Sequence, residues 1–257
     1  NMTQVLVTGA SGGLGRFVVP LLKDPEVEVR ALSRRRRSDG GGVRWMVGDT
    51  VKGAGLAEAV RGVDTVVHLA GGAKGDDVAA RRIADHAARS GARHLLMISV
   101  IGADRMPIGY FRAKAAAEQA VAESGVPWTV LRAAQFHTFV DRAVRAMVAP
   151  PIGIVPRDVR LEPVDTVEVA QRLVALAAAP PAGRVADLAG PEVLGTDDLV
   201  RAWLDAHGRT RRMWRPRLPG DAGRAYRQGH NLAGQRVQRG ARRWQEFLAE
   251  TVPSQRV

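Results

Sequence analysis

Residues 4–16 read Gln4-Val5-Leu6-Val7-Thr8-Gly9-Ala10-Ser11-Gly12-Gly13-Leu14-Gly15-Arg16. A short apolar run with strand character passes into a turn holding four glycines. The next residues, Phe17-Val18-Val19-Pro20-Leu21-Leu22, read as a helix. Strand, glycine-rich turn and helix in this order give the glycine pattern its meaning. Glycine lets the backbone turn tightly and come close to a pyrophosphate. The first N–H groups of the helix lack intrahelical acceptors and carry partial positive charge, which suits phosphate. No Lys-Ser or Lys-Thr follows the last glycine, which argues against a nucleoside-triphosphatase loop.

Outward from this stretch the alternation continues. Strands are predicted over 4–8, 27–32, 43–47, 64–69, 94–99 and 128–132, and helices over 14–23, 54–61, 76–90 and 111–124. Such alternation predicts an α/β fold of the Rossmann type, a doubly wound parallel sheet with helices on both faces. Beyond residue 133 the pattern loosens. Helices are predicted over 136–149 and 165–178, a strand over 184–188, a helix from Thr196 to about Ala206, and a last helix from Trp244 to Glu250. The Arg-, Gly- and Pro-rich stretch 208–224 reads as a long loop.

Tyr110 and Lys114 stand four residues apart, ahead of the helix-forming run Ala115-Ala116-Ala117-Glu118-Gln119. Positions i and i+4 share a helix face, so phenol and ammonium can point into one space. A nearby ammonium is expected to lower the phenol's pKa and make it a usable proton donor and acceptor. The chain has two tyrosines, and its four lysines stand against 34 arginines. A lysine here therefore marks a place where Arg's planar head would not serve.

The second strand ends Val29-Arg30-Ala31-Leu32-Ser33-Arg34-Arg35-Arg36-Arg37. An acid near the end of this strand would hold the adenosine ribose and select NAD, whereas Arg accommodates the extra phosphate of NADP. Ser33 stands where the acid would, with Arg34 next. NADP(H) is thus the expected cofactor and NAD(H) the less favoured one. Asp49, after the third strand, reads as an ordinary turn acid, and the family resemblance given next implies an adenine contact there instead.

On these residues the chain resembles the short-chain dehydrogenase/reductase superfamily, in its atypical or extended, NmrA-like branch. Gly9, Gly12 and Gly15 match one glycine spacing of that superfamily, and Gly9, Gly13 and Gly15 match another. Tyr110 and Lys114 match its Tyr-x-x-x-Lys pair, and Ser99 falls where it places a catalytic Ser. Val66-Val67-His68-Leu69-Ala70-Gly71 resembles its fourth strand and the turn beside the cofactor. The resemblance implies cofactor contacts at Gly9, Ser11, Gly12, Gly13, Leu14, Gly15, Ala70, Gly71 and Lys114, beside Ser33, Arg34 and Asp49. It implies Tyr110 as proton donor, Lys114 as its partner and ribose contact, and Ser99 as the group that orients the substrate oxygen. Residues 76–90 carry Asp76, Asp77 and Asp85 but lack the helix Asn found in many members.

The resemblance implies an NADPH-dependent oxidoreductase acting on a carbonyl, enone or quinone-type small molecule. The alternatives are a non-catalytic NADP(H)-sensing regulator and a redox-neutral dehydratase, epimerase or isomerase. Residues 1–134 are expected to form the NADP-binding core. Residues 135–257 are expected to complete it over about 161–190 and to form a small substrate lobe, with Gln135, Phe136 and His137 on the pocket wall because ligands gather at strand C-termini.

At 257 residues and 46% hydrophobic, the chain can bury a sizeable core. It has no cysteine, and its six histidines form no ligand-spaced set, so no metal site is expected. The absence of a long apolar run leads to the expectation of a cytoplasmic protein without membrane contact. The net charge is +12, most of it in residues 201–257. An Arg-rich tail of this kind reads first as solvated surface, second as a contact for an anionic small molecule, and last as a nucleic-acid contact.

Overall fold

The structure is a computed structural model that describes residues 2–72 and 74–252. In chain order the first elements are β1 (Thr3–Thr8), α1 (Gly15–Leu21), β2 (Val27–Ser33), β3 (Val43–Val47), α2 (Leu56–Ala59), β4 (Thr65–His68), α3 (Asp76–Ser90), β5 (His94–Val100), α4 (Gly109–Ala122) and β6 (Trp128–Ala133). There follow α5 (His137–Val148), β7 (Ile152–Ile154), β8 (Arg160–Leu161), α6 (Thr166–Ala178), β9 (Gly183–Arg184), β10 (Asp187–Ala189) and β11 (Leu194–Gly195). The last are α7 (Thr196–Ala206), β12 (Arg212–Trp214), α8 (Gly220–Arg227), β13 (Val237–Arg239) and α9 (Trp244–Thr251).

The chain divides into two compact units. The first comprises the chain through Ser99, then Gly109–Arg132 and Val167–Val185. Its strands run in the order β6-β5-β4-β1-β2-β3, with β9 pairing β6. The pairs β1–β2, β1–β4, β2–β3 and β4–β5 are parallel. The order reverses between β1 and β4: the chain builds outward through β2 and β3 on one side and through β5 and β6 on the other. Open α/β sheets bind ligands beyond the strand C-termini at such a reversal. Alternating Val and Leu residues of these strands meet the apolar faces of the helices. Leu6, Val66 and Leu95 from the sheet pack with Leu56, Ile83 and Val121 from α2, α3 and α4, all almost without exposure.

The second unit comprises Val100–Ile108, Ala133–Thr166 and the chain from Ala186 on. Its core gathers Val140, Val144 and Val148 from α5, Leu199, Val200 and Trp203 from α7, and Trp244, Phe247 and Leu248 from α9. These positions recur at three- and four-residue steps, as one face of a helix requires.

The predicted strand 184–188 is two strands. β9 pairs β6 within the first unit, β10 pairs β13 within the second, and Val185 donates its N–H to Val130 O between them. The chain changes partners there, so one apolar run serves two ladders. The predicted loop 208–224 contains β12, which pairs β7 in parallel, and the start of α8. A three-residue strand whose partner lies far upstream leaves almost no local pattern.

The Arg-rich tail proves to be substantially engaged within its own unit. Arg215 meets Asp197 at 2.6 Å, Arg217 meets Asp158 at 3.1 Å, Arg239 meets Glu162 at 2.9 Å and Arg242 meets Asp165 at 2.9 Å. Glu162 is buried and also accepts the Ala233 N–H at 2.7 Å. That carboxylate thus fastens two separate stretches of the tail. No helix among the described residues is long and apolar enough to cross a membrane.

Candidate active site

The glycine turn is shaped by contact as well as by torsion. Gly9 has φ +67°, and a Cβ there would lie 2.7 Å from the backbone N of Ala70. A Cβ on Gly15 would lie 2.2 Å from Gly9 O. Gly12 donates its N–H to Gly9 O at 3.0 Å, and a Cβ on it would sit 3.2 Å from that oxygen. A Cβ on Gly13 would meet open space. Of the two glycine spacings that the sequence allows, the crowded one is therefore Gly9, Gly12 and Gly15. Ser11, Gly12 and Gly13 are exposed, while Leu14 is buried and anchors the start of α1. A side-chain-free rim over a helix start fits the phosphates of a dinucleotide.

The turn after β4 is locked to this rim. Thr8 Oγ1 accepts the N–H groups of Leu69 and Ala70, each at 3.2 Å, and lies 2.7 Å from His68 Nδ1. With two N–H groups donating to it, the Thr8 hydroxyl donates to His68. Burial pushes the His68 pKa down to about 3, and the Lys114 ammonium adds to the effect. His68 is a neutral structural link between two strand ends.

Gly71 leads to the Tyr110 pair. A Cβ on Gly71 would lie 3.1 Å from Lys114 Nζ and 3.4 Å from Asp76 Oδ2. Lys114 Nζ meets Asp76 Oδ2 at 2.9 Å, with both side chains buried. Asp76 Oδ1 accepts the Gly72 N–H at 2.7 Å. Lys114 Nζ is 6.0 Å from the centre of the Tyr110 ring, which has 42% of its surface exposed. The two side chains do share a helix face, but the expected drop in the phenol's pKa is not what the structure gives. Partial burial raises it, and the Asp76 carboxylate raises it further. The lysine's charge is balanced by Asp76, so Tyr110 is a protonated phenol at neutral pH.

Ser99 is buried, and its hydroxyl donates to Glu118 Oε1. Arg132 clamps the same carboxylate from the other side, Nε to Oε1 at 2.8 Å and Nη2 to Oε2 at 2.7 Å. The proton that was expected to orient a substrate oxygen is already donated, and Ser99 stands as part of a buried Ser99–Glu118–Arg132 brace.

At the end of β2, Ser33 is buried and its Oγ accepts the Arg35 N–H at 3.2 Å, while Arg34 is exposed. Asp49 Oδ1 accepts the N–H groups of Lys52 at 2.9 Å and Val51 at 2.8 Å. These two bonds, with the charges of Lys52 and Arg34, outweigh partial desolvation and hold the Asp49 carboxyl below its usual range. Asp49 thus organises its own turn, within the electrostatic reach of Arg34.

In the second unit, Gln135 and Phe136 are half-buried. Gln135 O accepts the Val164 N–H at 3.0 Å, and Phe136 caps α5. His137 departs from the expectation of a pocket wall. It has no exposed surface, packs against Trp244 and Phe247 at ring-centre distances of 5.9 and 5.1 Å, and lies 3.9 Å from Asp165. Burial pushes its pKa down to about 4, against the opposing pull of Asp165. Its place is the aromatic core of this unit.

Asp76 is the site residue that the sequence reading passed over. The signal was there: Asp76 falls in phase with Ala79, Ala80, Ile83, Ala84 and Ala87 on the buried face of α3. Lys114 likewise falls in phase with Phe111, Ala117 and Val121 on α4. Two charges at inward positions of facing helices need each other.

The model of the NAD(P)H-binding family matches residues 9–180, which include the glycine turn, Asp76, Tyr110 and Lys114. This chain belongs to the NAD(P)H-binding family. It is 34% identical over 210 residues to the (4-alkanoyl-5-oxo-2,5-dihydrofuran-3-yl)methyl phosphate reductase of Streptomyces griseus, covering 74% of this chain and 69% of that one. Among solved structures, the NADPH-dependent quinone oxidoreductase of Escherichia coli in complex with NADPH superposes with a TM-score of 0.80 at 18% identity, covering 96% of this chain and 99% of that one. The triphenylmethane reductase of Citrobacter complexed with NADP(H) gives 0.72 at 19% identity, covering 90% and 92%. At these identities the two structures are likenesses of fold. Family and reductase relative together make the chain an NAD(P)-dependent oxidoreductase.

Proposed function

We propose that the protein is an NADPH-dependent reductase of a small molecule whose carbon–carbon double bond is conjugated to a carbonyl, with Tyr110 as proton donor. The observation that carries this reading is the protonated Tyr110 beside a fixed Lys114, next to the turn that joins the glycine rim. The name of the Streptomyces griseus relative supports the substrate class, since it describes an unsaturated oxo-dihydrofuran bearing an alkanoyl group and a methyl phosphate.

NAD(P)H supplies hydride when it is bound. Gly9, Gly12 and Gly15 would receive its phosphates, and Lys114 would contact its nicotinamide ribose. Ser33 and Arg34 leave no acid to meet the adenosine ribose, and Arg34 offers a fork that suits a phosphate. The negative charge that develops on the conjugated oxygen draws the Tyr110 proton. The resulting phenolate is held next to Lys114 until solvent returns a proton.

The test is NADPH consumption with a panel of unsaturated lactones, enones, quinones and simple ketones. The expected result is turnover of the unsaturated lactones, and a loss of about 100-fold in kcat for Tyr110→Phe, the scale of a positioned general acid. NADPH binding should stay within a few-fold of wild type. Normal turnover by Tyr110→Phe would remove the proton-donor role.

A further inference from the structure

Two helices of the first unit each place one charged residue on an otherwise apolar, buried face: Asp76 at the head of α3 and Lys114 one turn into α4. The two meet at 2.9 Å, with side-chain exposures of 5% and 9%. Neither has water to fall back on, so each fixes the other. Asp76 does a second thing, because its Oδ1 takes the Gly72 N–H at 2.7 Å. One carboxylate therefore joins the lysine to the segment that follows β4. Gly71 is compatible with this because a side chain there would press on both charges.

We propose that Asp76 is the positioning residue of the site: it fixes Lys114, ties it to the Ala70–Gly72 turn, and balances the ammonium that faces the Tyr110 ring. The proposal rests on the proton-donor reading of Tyr110 for its catalytic meaning, while its electrostatic content stands apart from that reading. Among the described residues, the charged groups set against the phenol come from the helices that carry the pair. From α3 comes Asp76, whose negative charge disfavours phenolate. From α4 comes Lys114, whose positive charge is spent on Asp76. His68 on β4, which lies within the electrostatic reach of Lys114, is neutral. Glu118, one turn beyond Lys114, is matched by Arg132. With Asp76 in place, burial and its carboxylate together raise the phenol pKa. Without it an unbalanced ammonium would face the ring, and phenolate would form at a lower pH.

The experiment reads Tyr110 directly. The only other tyrosine is Tyr226, so in a Tyr226→Phe background the ultraviolet absorbance of phenolate reports Tyr110 alone, with no substrate or cofactor required. Asp76→Asn keeps the side chain's size and an oxygen for the Gly72 N–H but removes the charge. It should lower the Tyr110 midpoint by about one pH unit or more. Lys114→Met removes the opposite charge and should not lower it. If Asp76→Asn fails to fold, Asp76→Glu takes its place: the longer carboxylate should leave the midpoint near the parent value while displacing Lys114, seen as weaker NADPH binding. An unchanged midpoint in folded Asp76→Asn, or a parental NADPH affinity in Asp76→Glu, would overturn the proposal. A shifted midpoint together with normal turnover by Tyr110→Phe would uphold the electrostatic role of Asp76 and reject the proton-donor reading. The alkaline limb of the pH–rate profile of Asp76→Asn, which a purely structural role would not move, should shift the same way.

Discussion

Ser99→Ala separates the brace seen here from the role that the family resemblance implies. The hydroxyl is buried and donates to Glu118 Oε1, and Arg132 holds both oxygens of that carboxylate at 2.8 and 2.7 Å. A hydrogen bond to a charged group contributes about 1.5–3 kcal/mol. After the substitution Glu118 still has its two bonds to Arg132, so no bare charge is left behind, and the cost falls at the lower end, about 1.5–2 kcal/mol. For a chain of this size each kcal/mol moves Tm by about 2–4 °C, so a fall of about 3–8 °C is expected. Because the Ser99 proton is already donated within the brace, kcat should change by no more than about threefold. Calorimetry and steady-state kinetics on the same preparation read both quantities. A fall of about 100-fold in kcat with Tm unmoved would refute the reasoning and return Ser99 to the substrate oxygen.

Arg34→Glu should narrow or reverse the preference for NADPH over NADH, measured by titration calorimetry with each cofactor. One charge-assisted phosphate contact contributes about 1.5–3 kcal/mol, or roughly 10- to 150-fold in affinity; a wild type that binds both equally would end the NADP assignment. The buried imidazoles predict acid lability. His137 is pushed down to about 4 in the folded protein, whereas a histidine in an unfolded chain titrates near its ordinary value of about 6.5. The unfolded chain therefore takes up more protons, and stability falls as pH drops through that window, by about 3 kcal/mol for this residue, then levels below the folded pKa. His68 adds in the same direction over a wider window. Urea unfolding at a series of pH values should give a flatter slope for His137→Phe, and an unchanged slope would show that His137 is not buried neutral.

The family and the parallel core were legible in the sequence because their signals are local. The Gln4–Gly15 stretch carries its strand, its turn and its helix start within a few residues. Each of β1 to β6 is an apolar run bounded by turn residues, and the predicted spans agree with the observed ones to within a residue or two. Tyr110 and Lys114 share a helix face by spacing alone. What the sequence left open depends on what comes near what. Both glycine spacings fit the motif, and only the fold decides between them: a Cβ on Gly12 would sit 3.2 Å from Gly9 O, whereas one on Gly13 would meet open space. Lys114 beside Tyr110 predicts a lowered phenol pKa, and only the fold supplies the burial, and the Asp76 carboxylate from another helix, that raise it. Ser99 matches a catalytic serine by position, yet its hydroxyl proton goes to Glu118, which lies on α4. The Arg-rich tail reads as open positive charge until Glu162, Asp165, Asp158 and Asp197 are seen to meet it. Electrostatic energy depends on distance in space and on burial, neither of which is a property of neighbouring residues. The sequence by itself therefore determined which groups are present and on which elements they lie, and tertiary structure decided their charge states and their partners.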